Sequence, residues 1–138
     1  MKKTTFSVLF LTLLLLALVG SAGAADKRTL AGEYVWSEGS RGDLEAVFTA
    51  NGQDEWKVAF HFRFRGRGHV YRGVANGSLL QGKLKGTVRN ENERRTFTFR
   101  GELEDGEFRG THAETTGGGQ RRTGTLKLSE RPTETAIR

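Results

Sequence analysis

Cysteine is absent from all 138 residues. That excludes disulfides, a thiolate metal site, a cysteine nucleophile and a lipid-modified cysteine together. Proline is nearly absent, its single copy being Pro132. Beyond the N-terminal segment, no long stretch repeats its apolar residues with the 3.6-residue period of a helix. Catalytic motifs are missing as well: there is no H-x-H or H-E-x-x-H spacing for a metal, no G-x-S-x-G elbow and no glycine-rich phosphate loop leading into a helix. The histidines, His61, His69 and His112, fall one apiece on separate segments. These gaps argue against an enzyme, and no metal or cofactor is expected.

The only long apolar run, residues 6–19, follows the basic Met1-Lys2-Lys3 and precedes the small residues of Ser21-Ala22-Gly23-Ala24-Ala25. This is the pattern of a secretory signal peptide over 1–24, cleaved between Ala24 and Ala25. The run is shorter than the roughly 20 residues a bilayer core requires, so no transmembrane segment is expected after processing. The expected location is secreted or periplasmic, because an oxidising compartment is reached without cysteine to use it. About 114 residues would remain, one domain spanning 25–129, with 130–138 as a disordered tail. Loss of Lys2 and Lys3 lowers the formal charge from +6 to +4, too mild for a nucleic-acid-binding tail.

What the chain does have is alternation. Leu30, Gly32, Tyr34 and Trp36 share one face of a first strand, and Leu44, Ala46, Phe48 and Ala50 one face of a second. The stretch over 56–72, W-K-V-A-F-H-F-R-F-R-G-R-G-H-V-Y-R, is the densest in aromatic and basic residues. Trp56, Val58, Phe60, Phe62 and Phe64 fall on one side of its strand, and Lys57, His61, Arg63 and Arg65 on the other. Single-strand nucleic-acid binding needs aromatics and positive charge on one surface. Here period two separates them, so no nucleic-acid partner is expected.

Turn signals then set a register. Gly66-Arg67 predicts a hairpin pairing Phe64 with His69 and Phe62 with Tyr71. Asn76-Gly77 predicts the next, pairing Gly73 with Leu80 and Tyr71 with Gly82, which puts Leu80, Leu84 and Val88 inside and leaves Val70, Val74, Leu79 and Ala59 as an outer apolar group. Residues 89–95 read as a polar loop. Asp105-Gly106 predicts a third hairpin, with Leu103 opposite Phe108, Phe99 opposite His112, and Glu102 and Arg109 as an outward ion pair. A last strand, 122–129, should place Gly124 opposite His112 and Arg122 opposite Glu114. The total is about eight short strands. The expected fold is all-β, an antiparallel meander closing as an up-and-down barrel, with a β-sandwich as the alternative.

Gly32, Gly73, Gly82, Gly86, Gly101, Gly110 and Gly124 recur at inward positions. They permit the bending of a small barrel, make room for aromatic rings, or leave a cavity. Gly32-Glu33-Tyr34 with Trp36, the glycine-punctuated meander and the mature length together resemble the calycin barrels, the avidin-like and lipocalin-like proteins. The resemblance implies a small hydrophobic or amphipathic ligand inside the barrel.

Two readings of function follow. In the first, an exported, non-enzymatic binding protein holds a small apolar or amphipathic molecule against Tyr34, Trp56, Phe62, Tyr71, Phe99 and His112. In the second, the interior is solid, and a structural or adhesive envelope protein binds anionic glycan or lipid through an outer basic cluster of Arg63, Arg65, Arg67, Arg72 and Lys83. Interior volume separates them, since a ligand site needs roughly 300 Å³.

Overall fold

In the computed structural model, residues 26–131 are described; the signal peptide expected over 1–24 lies outside them, as do Ala25 and residues 132–138. Eight strands follow the alternating segments: β1 (Lys27–Trp36), β2 (Arg41–Ala50), β3 (Glu55–Phe64), β4 (Arg67–Gly77), β5 (Gly82–Asn90), β6 (Arg95–Glu104), β7 (Glu107–Thr116) and β8 (Gly119–Glu130). Each pairs antiparallel with its sequence neighbour, and β8 returns to β1, from Leu30 opposite Glu130 to Trp36 opposite Gly124. That closure leaves no edge strand. The fold is a closed up-and-down barrel and not a sandwich. β8 also runs one residue into the segment expected to be tail, and Arg131 is tied by its N–H to the Thr29 carbonyl at 2.9 Å.

Inside and outside follow the period-two pattern, but two hairpins differ in register from the expectation. The β3–β4 turn is Arg65-Gly66, both with positive φ (52° and 78°), not Gly66-Arg67. A two-residue turn of this hand needs positive φ at both central residues, and glycine in the second place leaves only Arg65 to bear the strain. Phe62 therefore lies opposite His69 and Phe60 opposite Tyr71. The slip is even, so every side chain keeps its face.

The Asn76-Gly77 pair is no turn at all. Asn76 pairs with Glu55 across β3, the Gly77 N–H bonds to the Asp54 carbonyl at 2.9 Å, and the Gly77 carbonyl accepts from Trp56 Nε1 at 3.1 Å. Committed to the neighbouring strand, these residues pass the turn on to residues 78–81. There Ser78 Oγ accepts the N–H groups of Leu80 and Gln81 at 3.0 and 3.1 Å, a hydroxyl-closed turn. Gly73 accordingly faces Val88 in place of Leu80, and Tyr71 does not cover Gly82. Leu79 turns inward (5% exposed) and Leu80 outward (71%), the reverse of the expectation, which removes Leu79 from the outer apolar group.

The Asp105-Gly106 hairpin has the expected register, with Leu103 opposite Phe108 and Phe99 opposite His112. Arg109, however, turns from Glu102 to bond Glu107 beside it. Five of the inward glycines abut the next strand: a Cβ on Gly32, Gly73, Gly101, Gly110 or Gly124 would run into a neighbouring carbonyl oxygen. Gly86 makes room for a ring as well as for a strand, since its Cβ would lie 2.6 Å from two Phe99 ring carbons and from the Val74 carbonyl oxygen.

The strand directions give the barrel two unlike ends. At the base, where β1 begins and β8 ends, Leu30, Phe48, Leu84, Leu103, Phe108 and Leu128 are all essentially inaccessible. Burying each such side chain contributes on the order of 1.5–3 kcal/mol. At the mouth, reached by the turns at 37–40, 65–66, 91–94 and 117–118, the inward residues are aromatic, histidine and charged.

Candidate functional site

Because the mouth ends of eight strands converge, residues far apart in sequence meet there. Tyr34, Phe62, Tyr71 and His112, four of the expected interior residues, line one cavity of about 50 Å³. Trp36, Leu44, Phe60, Val88, Phe97 and Leu126 complete its wall. The other two expected residues are elsewhere. Trp56 sits at the base, bonded to the Gly77 carbonyl, and Phe99 lies beneath the cavity against Phe60 and Phe108, with ring centroids 4.9 and 6.4 Å apart.

The cavity wall is a network of rings. Trp36 meets Phe97 and His112 edge-on, at 5.8 and 5.3 Å, and Tyr71 meets Phe97 at 5.6 Å. His69 stacks on Phe62 at 5.3 Å, 15° from parallel. Such pairs contribute roughly 0.5–1.5 kcal/mol each beyond area burial. The Tyr34 hydroxyl donates to the Arg63 carbonyl at 2.6 Å. Burial, with Asp43 adding, raises its pKa.

His112 is held by a bulge. Between His112 and Ala113 the β7–β8 ladder shifts, so that His112 faces Gly124 while Ala113 faces Arg122, leaving Thr123 without a partner residue. The extra residue turns its side chain inward. Thr123 is 4% exposed, and its hydroxyl lies 2.6 Å from His112 Nδ1. His112 Nε2 donates to the Val35 carbonyl at 3.2 Å, so Nδ1 is the acceptor in the neutral ring. Burial lowers the His112 pKa; the bond to Val35 opposes this and the charge of Arg122 adds to it. The same bulge moves Glu114 from its expected partner Arg122 to Arg121, while Arg95 Nε meets its other oxygen at 2.5 Å.

Glu93, in the turn expected only to be a polar loop, reaches back over the cavity. Its two carboxylate oxygens accept from Tyr71 Oη and His69 Nδ1. Its own N–H is held by Asn90 Oδ1 at 3.0 Å. Burial opposes ionisation of Glu93, but the bonds from Tyr71 and His69 outweigh it, and the pKa is lowered. Tyr71 responds in the opposite sense, raised by burial first and then by its bond to Glu93. The turn is thereby latched across the mouth.

Beside the latch opens a recess of about 440 Å³, lined by Trp36, Ser37, Glu38, Phe64, Arg65, Arg95, Arg121, Arg122 and Thr123. Arg95 stacks over Trp36 and Phe97, 5.8 and 5.0 Å from their centroids, and Arg65 over Phe64 at 5.1 Å. Trp36 lines both recess and cavity, and its Nε1 is buried with no hydrogen-bond partner among the described residues.

The expected outer basic cluster is not one patch. Arg63, Arg65 and Arg67 lie around the β3–β4 turn at the mouth, Arg72 is midway down the wall between Ala59 and Arg89, and Lys83 is at the base opposite Glu102. The corrected β4–β5 register separates Lys83 from Arg72. Only Arg65 joins the recess.

Among the described residues, no group of three or more histidines, cysteines or carboxylates is placed to hold a metal, and no helix is long and apolar enough to cross a membrane. No protein-family model matches the chain, and no curated protein is detectably similar to it in sequence.

Proposed function

We propose that this chain is an exported, calycin-like binding protein, not a catalyst, which takes a small amphipathic molecule at the mouth of its barrel. The observation that carries the reading is the position of Trp36, which lines both an apolar cavity walled by rings and a polar recess. The cavity alone, at about 50 Å³, is far below the roughly 300 Å³ of a ligand site. The recess, at about 440 Å³, reaches that size. A ligand would therefore lie mainly in the recess and insert an apolar part beside Trp36, Phe97 and His112. The base is packed solid and takes no part.

The two tryptophans allow a direct test, because Trp36 is at the mouth and Trp56 at the base. In a Trp56→Phe variant, titration with the neutral apolar probe N-phenyl-1-naphthylamine should quench or shift the Trp36 emission in a saturable way. A Trp36→Phe variant should respond little. Failure of Trp36 to respond at saturating probe would remove the reading.

A further inference from the structure

We propose that the ligand of this mouth is a small amphipathic anion, whose acidic group is held by Arg65 and Arg122 in the recess while its apolar part enters the aromatic cavity. This rests on the binding reading above and adds to it the sign and position of the ligand's charge.

Three observations carry it. The recess is lined by Arg65, Arg95, Arg121 and Arg122 with Glu38 as its lining carboxylate, while Glu114, outside the lining, bridges Arg95 to Arg121. Glu38 is engaged by the Ser40 hydroxyl at 2.7 Å. Among the described residues, ion pairs occupy Arg95 and Arg121 but neither Arg65 nor Arg122, so two guanidiniums remain to meet a ligand. A guanidinium carries five N–H donors in a fixed fork and no acceptor, a geometry matched by a carboxylate, sulfonate or phosphate.

The second observation is the buried indole N–H of Trp36, which has no acceptor among the described residues. A buried donor left unmade is costly, and an incoming oxygen would satisfy it. The third is the field. His112 lies just inside the mouth, and after burial the charge of Arg122 helps to hold it neutral, so positive charge from the recess reaches the inner wall. A cationic head group would meet this same field as repulsion, and a neutral one would leave the guanidiniums without a partner.

The recess also bears on the ligand's source. Its wall is formed by turns and strand ends around an open recess of about 440 Å³, the scale of one small molecule. The acidic group is therefore assigned to a free amphiphile and not to a lipid within a bilayer.

The experiment compares three ligands of one chain length, octanoate, octanol and octylammonium, by displacement of N-phenyl-1-naphthylamine from the intact protein at low salt. Octanoate should compete at least about tenfold better than octanol, and octylammonium least. Raising sodium chloride to 0.5 M should shrink the octanoate advantage, because exposed charges are screened within a few ångströms there. Arg65→Gln with Arg122→Gln should bring the octanoate-to-octanol ratio close to one. Equal competition by octanoate and octanol in the native protein would overturn the anion assignment while leaving the binding reading standing. Absence of any probe binding would overturn both. Co-flotation with phosphatidylglycerol vesicles that octanoate fails to compete away would overturn the assignment to a free molecule.

Discussion

Thr123 has no residue opposite it on β7, yet its hydroxyl lies 2.6 Å from Nδ1 of His112, the one histidine buried in the barrel. The bulge thus exchanges a place in the ladder for a hydrogen bond inside the wall. A Thr123→Val variant keeps the shape and removes the hydroxyl, which leaves His112 Nδ1 buried without a partner. The expected loss is about 1–3 kcal/mol at pH 8, read as a lower urea midpoint with an unchanged slope. A midpoint equal to the native one would show that the contact contributes nothing.

His112 also makes stability depend on pH. Its folded pKa lies below the ordinary 6.5, chiefly through burial, so the unfolded chain binds this proton more readily than the folded one. The contribution of the neutral ring is complete above pH 6.5 and declines as pH falls from there toward the folded value. Native protein should have a lower urea midpoint at pH 5.5 than at pH 8. A His112→Gln variant should start lower but change less across that interval. Identical slopes in the two proteins would assign the dependence to other groups.

Glu93 and Tyr71 titrate as partners. Burial first, and then the bond to the carboxylate, hold the phenol above its ordinary value of 10, and the phenol helps hold the carboxyl below 4.5. In Glu93→Gln, the phenolate absorbance titration should show one of the two tyrosines ionising at lower pH than in the native protein. Amides of the 91–94 turn should exchange faster with solvent, while those of the β1–β8 seam stay protected. Unchanged exchange in that turn would mean the latch is not what holds it.

The faces of the strands were legible from the sequence because period two survives any even slip. Arg65-Gly66 replaced Gly66-Arg67 as the turn, yet Phe60, Phe62 and Tyr71 still point inward. Asn76-Gly77 misled because its chemistry also suits a strand end, and only the pairing of Asn76 with Glu55 shows which use is made of it. A turn at that pair would invert Leu79 and Leu80 and draw Lys83 toward Arg72, whereas the observed register sets Lys83 opposite Glu102 at the base. The mouth was half visible. Alternation alone marks Tyr34, Phe62, Tyr71 and His112 as inward, and Trp36 shares the face of Tyr34, though nothing in the alternation separates a site residue from a wall residue.

Glu93, Arg95, Arg121 and Thr123 were not found, for two physical reasons. A turn residue has no periodicity to mark where its side chain goes, so nothing local shows that Glu93 folds back to His69 and Tyr71. A bulge interrupts periodicity without a sequence signature of its own, so Thr123 reads as outward until the ladder is seen to shift. Both depend on contacts between strands distant in sequence.

The strand that begins the wall and the strand that ends it start and finish at the packed base, where Leu30 pairs with Glu130. Residues 26 and 131 therefore lie on the side opposite the recess. A bead, a carrier protein or a surface coupled at either of these positions would leave the opening facing bulk solvent. The same adjacency makes the first and last strands candidates for joining by a short linker, with new ends cut into a turn of choice, so that the order of strands along the chain could be changed while their order around the ring is kept.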